Sequence, residues 1–449
     1  MRASRLLLPA ALVAALLAGC TSQASPPAEP SPTPVVGPAD LRLVPTTLEV
    51  PSSLGSAPFD RPRRLLAPPG WTVSVAARLD GARLTAVTPD HRLLVSRPSA
   101  GDVVLLTPRP AAPPTARPLL SGLNQPHGLA FRGSTLLVAE SDHLAAYRYA
   151  NGTASDRRVL LDGLPDSKSP DLLGAYAHAL KSVAVGRDGA LYVSVGSSAN
   201  VSTEDRSADP ERGAILRVPA GGGRVTVFAS GVRNGTGLAV DPDGGVWTAV
   251  NNRDRIPYPY PADYTGDGAS DFGAVLQSYV NDHPLEPVAR LTPGRDLGWP
   301  YCNPDPDVRP GRPGTPFSYS NRPFLRDVDT NRTGERLDCG ALPPVEQGLP
   351  AHSAPLGLSF ERTLPQPLGA GALVGVHGSW NRDPPRAPNV SFLPWRDGTL
   401  GAARVVLAGF QLTDGSRWGR PVAAVVGPDG AVWVTDDLAG AVYRMVPPR

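Results

Sequence analysis

The sequence predicts an all-β chain, a six-bladed β-propeller with one long loop insertion, on three observations. One hairpin plan recurs six times, Gly and Pro are abundant at 47 and 53 copies, and acidic-glycine turns join several of the hairpins. The copies read LTAVTPDHRLLVS from Leu84, HGLAFRGSTLLVAE from His127 and SVAVGRDGALYVSVG from Ser182. They continue with GLAVDPDGGVWTAVN from Gly237, GLSFERTLPQPLGAGALVGVH from Gly357 and AVVGPDGAVWVTDD from Ala424. In each, apolar residues alternate or run on for a few positions, as in buried strands, and a turn separates two such runs. The turn is PDG or RDG in three copies, which suits a glycine with positive φ. Each copy reads as the inner strand pair of a blade. VVLLTP from Val103 and RVTVFAS from Arg224 read as outer strands.

The stretch Asn252 to Ala351 breaks the spacing. It is rich in Pro, Asp and Tyr and reads as a large loop insertion, or as cover for a further blade. The propeller is expected over 52–449.

Upstream, the chain reads as an export and anchoring device. Arg2 and Arg5 precede an apolar run, Leu6 to Gly19, that is short for a membrane span. Leu17-Ala18-Gly19-Cys20 resembles a bacterial lipobox, in which the Cys20 thiol takes a lipid. Residues 1–19 are then a signal peptide, and 20–51 a lipidated N-terminus with a Ser/Pro/Ala-rich tether that lacks core-forming periodicity. The protein is expected outside the cytoplasm, on a membrane by its lipid alone. With a net charge of +2, no nucleic-acid partner is implied.

The other two cysteines, Cys302 and Cys339, both fall in the insertion. An exported pair of this kind is expected to form a disulfide, worth about 3–4 kcal/mol in the chain-entropy view. A metal site is the weaker reading, since neither cysteine has CxxC spacing with histidines nearby.

Function in a propeller collects on loops at one mouth of the central channel, so polar residues flanking inner strands are the candidates. His178 precedes an inner strand and has the chemistry of a general base. Arg233-Asn234 holds the same position one blade on, where an arginine binds a carboxylate or steadies an oxyanion. Asn251-Asn252-Arg253-Asp254 follows a strand and offers oxygens of the kind that suit Ca²⁺, without any EF-hand series. His352, then His377 to Arg382, then Arg417 to Arg420 bring His, Arg and Trp to strand ends; Trp380 and Trp418 offer flat walls or ordinary core. No GxSxG, Walker A, GxGxxG or HExxH is present, which leaves the enzyme classes built on them without support.

Taken in order, HALKSVAVGRDGALYVSVGS, DPERGAILRV, FASGVRNGTGLAV, AVNNRDRIPY, GWPYCNP, HSAPLGLSF, GALVGVHGSWNR and RWGRPV resemble the glucose/sorbosone dehydrogenase family of soluble quinoproteins, its sorbosone-dehydrogenase-like branch above all. The resemblance runs from about Gly70 to Met445. It implies a six-bladed propeller that oxidises a sugar or related polyol or aldehyde with pyrroloquinoline quinone (PQQ) and Ca²⁺, and passes electrons to an external quinone or redox protein. It implies His178 as catalytic base with Arg233 beside it. It implies cofactor contacts at Gln125, Arg233, Asn234, His352, His377, Arg382 and Arg420, and the metal held by backbone carbonyls of the loop at Arg253 and Asp254. Two positions depart from the family pattern. Val422 stands where a second clamping arginine is expected, and Ser197 where the glucose-oxidising branch has Asp. The competing readings are a calcium-dependent lactonase-type propeller, which needs carboxylates at the channel centre, and a non-enzymatic surface-binding propeller.

Overall fold

The computed structural model describes residues 41–109 and 112–448. The expected signal peptide, Cys20 and the Ser/Pro/Ala-rich stretch fall outside the described residues.

Six antiparallel sheets form the blades, and all six expected hairpins are their inner strand pairs. Blade one runs Thr85–Val87, Leu93–Arg97, Asp102–Arg109, Ala112–Ser121, and blade two Gly128–Arg132, Thr135–Ala139, Leu144–Ala150, Thr153–Leu161. Blade three runs Val183–Val185, Leu191–Val195, Ala214–Val218, Thr226–Ser230. Blade four starts with Gly237–Val240 and Val246–Ala249, and takes its outer strands, Glu286–Leu291 and Val345–Leu349, from the expected insertion. The insertion therefore completes a blade and hides no further one. Blade five holds Pro355–Leu364, Gly369–Val376, Asn389–Arg396 and Arg404–Leu407. Among the described residues the one α-helix is a single turn, Gln277–Val280, and no helix is long and apolar enough to cross a membrane.

Blade six closes the ring. Its strands Pro421–Val426, Val432–Asp436 and Ala441–Val446 come from the C-terminal end, and the fourth, Thr72–Arg78, from the N-terminal side, with Thr72 opposite Val446 and Arg78 opposite Ala441. This sheet is extended by Val44–Glu49 and Arg64–Ala67. The strand Val44–Glu49 corrects the boundary at 51: alternating Val, Thr and Leu pair there, although the flanking prolines read as tether.

The turns behave as their residues dictate. Gly189, Gly244 and Gly430 all have positive φ, and the carboxylates of Asp188 and Asp429 accept the backbone N–H groups of Ala190 and Ala431. Neighbouring blades stack through alternating apolar side chains. Leu93, Val95, Val104 and Leu106 of blade one pack with Trp433 and Val442 of blade six. Blade five packs against blade six so closely that a Cβ on Gly375 would sit 2.0 Å from the Val422 carbonyl oxygen.

Cys302 and Cys339 are joined as a disulfide across 37 residues. It anchors the segment between them to the core under blades three and four. Changing both to Ala is expected to lower folding stability by about 3 kcal/mol. Urea unfolding measures the loss, and an unchanged midpoint would show that the staple carries no stability.

Candidate active site

The residues just ahead of the inner strands of blades one, three, four, five and six converge on one cavity of about 220 Å³. Arg83, His178, Asn234, Thr236, Asn251, Asp254, His352, His377, Asn381 and Arg420 line it, with Trp380 at the lip, 72% exposed. A larger cavity of about 730 Å³ between blades one and six contains none of the expected site residues; chemistry rather than size picks out the smaller one.

His178 is fixed by the end of blade three. Its Nδ1 lies 3.1 Å from the Ser197 carbonyl oxygen and 2.9 Å from Ser197 Oγ, and that hydroxyl itself donates to the Ala199 carbonyl. Both Ser197 oxygens therefore accept, which places the proton on Nδ1 and leaves the lone pair on Nε2. The ring approaches because residue 196 is glycine: a Cβ there would stand 2.6 Å from the Cβ of His178. Burial, and then the charge of Arg233, push His178 down to about 3, so the imidazole is neutral at neutral pH. Ser197, in place of a carboxylate, supplies no negative charge to hold the imidazolium.

Arg233 stands behind the wall rather than on it. Its guanidinium donates to Asn200 O at 3.2 Å, Asn200 Oδ1 at 2.9 Å, Asn251 O at 3.0 Å and the Asp254 carboxylate at 3.4 Å. Asn234, next in the chain, does line the cavity. Asp254 is shared between Arg233 and His352, whose Nδ1 is 3.3 Å away, and His352 Nε2 meets the Val280 carbonyl at 2.6 Å.

The Arg253 guanidinium turns into the insertion and pairs with Asp327, a fully buried carboxylate, and with Asp329. The side chain is thus a structural cation, and the metal expectation for this loop, which rests on backbone carbonyls, does not depend on it. Gln125 and Arg382 also lie off the cavity. Gln125, at the entrance to blade two, is exposed and is not among the lining residues. Arg382 donates to the Asn281 carbonyl at 3.0 Å. Trp418 is core, packed with Phe59 and Phe410.

The remaining wall holds two arginines, of which one pairs with a carboxylate. Arg83 donates to Asp437 at 2.7 Å, and His377 Nε2 lies 2.8 Å from the other oxygen of that carboxylate. Burial raises Asp437, but the His377 contact and the charges around it prevail and hold it down to about 2. Burial pushes His377 down to about 4. Arg420 gives its guanidinium only to the carbonyls of His377 and Gly378, and pairs with no carboxylate among the described residues. Val422, the other departure, is fully buried and off the cavity, and Arg83 is the second arginine that lines it.

Four buried polar atoms at this cavity lack a partner in the protein: Arg83 Nε, Thr236 Oγ1 and both amide atoms of Asn381. Buried groups left unpaired cost about 1–3 kcal/mol each. Arg83, Thr236 and Asp437 were not singled out in the sequence. Arg83 was accessible to the rule that found His178, since it sits two residues before the inner strand of blade one.

Comparison with known proteins follows the same lines. The family model described as TrAA12-like matches residues 65–447. A pyrroloquinoline quinone-dependent pyranose dehydrogenase of Coprinopsis cinerea is 24% identical over 353 residues, which cover 69% of this chain and 44% of that protein. The chain thus spans less than half the length of the curated relatives it matches. Among solved structures, the holo form of the C. cinerea pyranose dehydrogenase PQQ domain matches with a TM-score of 0.67 at 20% identity, over 85% of this chain and 96% of that one. The calcium structure of a Trichoderma reesei family AA12 enzyme matches with a TM-score of 0.67 at 19% identity, over the same 85% and 96%. At these identities the structural likeness carries the fold, which is the six-bladed one.

Proposed function

Because the chain belongs to the TrAA12-like family, we propose that it is a PQQ-dependent dehydrogenase that oxidises a sugar, or a related polyol or aldehyde, at this cavity. The observation that carries the reading is a neutral His178 in one cavity with two arginines and unpaired polar atoms. PQQ is a flat tricarboxylate, and these residues suit it. Arg420 and Arg83 bring guanidinium groups to the cavity, where they suit carboxylates.

When bound, PQQ supplies an orthoquinone that takes two electrons with a hydride from the substrate carbon. His178 Nε2 takes the proton of the substrate hydroxyl as that hydride leaves. Ser197 keeps the proton on Nδ1 and so keeps Nε2 free to accept. Asp254, the sole carboxylate among the cavity-lining residues, would hold Ca²⁺ together with loop carbonyls. Arg233 positions Asp254 and Asn200 without itself touching substrate. Trp380 offers a flat apolar face to a sugar ring at the lip. Electrons pass on to an external quinone or redox protein, and a lipid on Cys20 would keep the exported enzyme beside a membrane that holds such acceptors. One carboxylate among the lining residues is few for a lactonase metal centre.

The test is reconstitution with PQQ and Ca²⁺, read by cofactor absorbance and by dye reduction with a panel of pyranoses, polyols and aldehydes. Sugar-dependent dye reduction is expected, and Arg420→Met is expected to weaken PQQ binding by about 2 kcal/mol, roughly 30-fold. A folded protein that binds no PQQ would end the proposal.

A further inference from the structure

The insertion holds a second polar cluster, remote in sequence from every residue of the proposed mechanism. We infer that His283, Asp305 and Asp307 form a binding site for one divalent transition-metal ion, Zn²⁺ by the chemistry of its donors. Among the described residues this is the one group of three His, Cys, Asp or Glu side chains whose ligand atoms lie within 4.8 Å of one another, and all three are buried.

The geometry of His283 points its lone pair at the carboxylates. Nδ1 lies 2.9 Å from the Tyr279 carbonyl oxygen, which only accepts, so the Nδ1 proton is fixed there. The ring also stacks on Tyr279, 3.8 Å between centroids and 12° from parallel. Nε2 then faces Asp307 Oδ1 at 2.8 Å and Asp305 Oδ1 at 3.8 Å. A lone pair facing two carboxylates needs a positive charge between them. A proton on Nε2 accounts for the shorter contact only. Asp305 Oδ1, held by the Asp307 backbone N–H at 3.0 Å, stands beside Nε2 at a separation too long for a hydrogen bond to the ring. An ion about 2 Å from each donor would use all three groups at once, and the edge of such a coordination shell, about 3.3 Å, lies between the two separations.

The surroundings are those of a built site. The Nδ1 contact to a backbone carbonyl is the outer contact that metal-bound histidines make. Tyr260 donates its hydroxyl to Asp305 Oδ2 at 3.1 Å. Arg322 holds the main chain of the two ligands, donating to the carbonyls of Asp305 and Asp307. One imidazole and two carboxylates suit Zn²⁺, whereas Ca²⁺ prefers an all-oxygen shell, and a water completes the tetrahedron. The ion would join the single-turn helix Gln277–Val280, just before His283, to the segment that follows Cys302.

The test needs no enzymatic activity. The purified protein is assayed for metals, dialysed against a chelator, and titrated with Zn²⁺ by calorimetry, with X-ray absorption on the zinc-loaded form. The wild type is expected to take one tightly held Zn²⁺ per chain, with a spectrum of nitrogen and oxygen ligands including a single imidazole, and to melt at a higher temperature when loaded. Asp307→Asn, which keeps the size of the side chain and an acceptor for His283, is expected to weaken that binding ~100-fold or more while its circular dichroism is unchanged. Folded wild type that takes up no Zn²⁺ would overturn the inference. So would a spectrum with several imidazoles, which would place the metal among the cavity histidines, or unchanged binding in Asp307→Asn.

Discussion

Changing His178 to Ala lowers kcat by about a thousandfold with PQQ and Ca²⁺ still bound. The cofactor contacts lie on other side chains, so binding and turnover separate in this variant. Absorbance titration with PQQ reads the first and dye reduction at saturating sugar the second. Near-normal turnover would remove His178 from the mechanism. The pH profile adds an independent readout. His178 is competent when neutral, and it is neutral above its pKa of about 3, so protonation removes activity only as pH falls toward that value. The acid limb of kcat/KM is therefore expected below about pH 5. A limb near the ordinary histidine value of 6.5 would mean that burial and Arg233 do not govern the ring. So weak a base does not strip a hydroxyl in advance, and proton transfer must accompany departure of the hydride.

Arg253→Met is expected to cost about 3 kcal/mol of folding stability, the largest loss of any single change considered. The substitution keeps most of the apolar stem but leaves Asp327 charged and fully buried. Asp327 retains donors from Asn303, Thr330 and the Asp329 backbone, which soften the loss without neutralising the charge. Adding Asp327→Asn removes that charge and is expected to recover more than half of the loss. Urea unfolding of the two single variants and the double measures the coupling. Simple additivity would show that the pair does not act as one. The Ca²⁺ requirement is expected to be the same in Arg253→Met as in the wild type, as befits a structural cation.

These two residues show what the sequence made legible. His178 lies one short step ahead of an inner strand, and once the hairpin repeat is seen its place at the channel mouth follows. The same holds for Asn234, His352, His377 and Arg420. Arg253 sits in an equally suggestive string, but its partner is 74 residues away in the insertion, where no periodicity reports the fold. Gln125 and Arg382 failed for a related reason. A position before or after an inner strand fixes which mouth a residue is near, while the next turn of backbone decides whether its side chain faces the channel. Arg83 was missed although it obeys the rule, because blade one is short of motifs around it. Trp418 shows the limit of composition: a tryptophan between arginines reads as a binding wall, yet Phe59, Phe410 and Tyr443 close around it as core. The outer strands of blade four were hidden because about a hundred residues of loop and crosslink surround them.

The way the ring closes bears on how the protein comes into being. Asp436 accepts the backbone N–H groups of Arg420 and Ala439 and the hydroxyl of Tyr443, so one carboxylate ties the last strand to the cavity wall. Arg83 and Arg420 then face one pocket only after Thr72–Arg78 has paired with Ala441–Val446. During synthesis the pocket therefore forms late in the propeller. A nascent chain has no place to seat a ligand until Ala441–Val446 has emerged and paired with Thr72–Arg78, and occupancy of the pocket reports a closed ring.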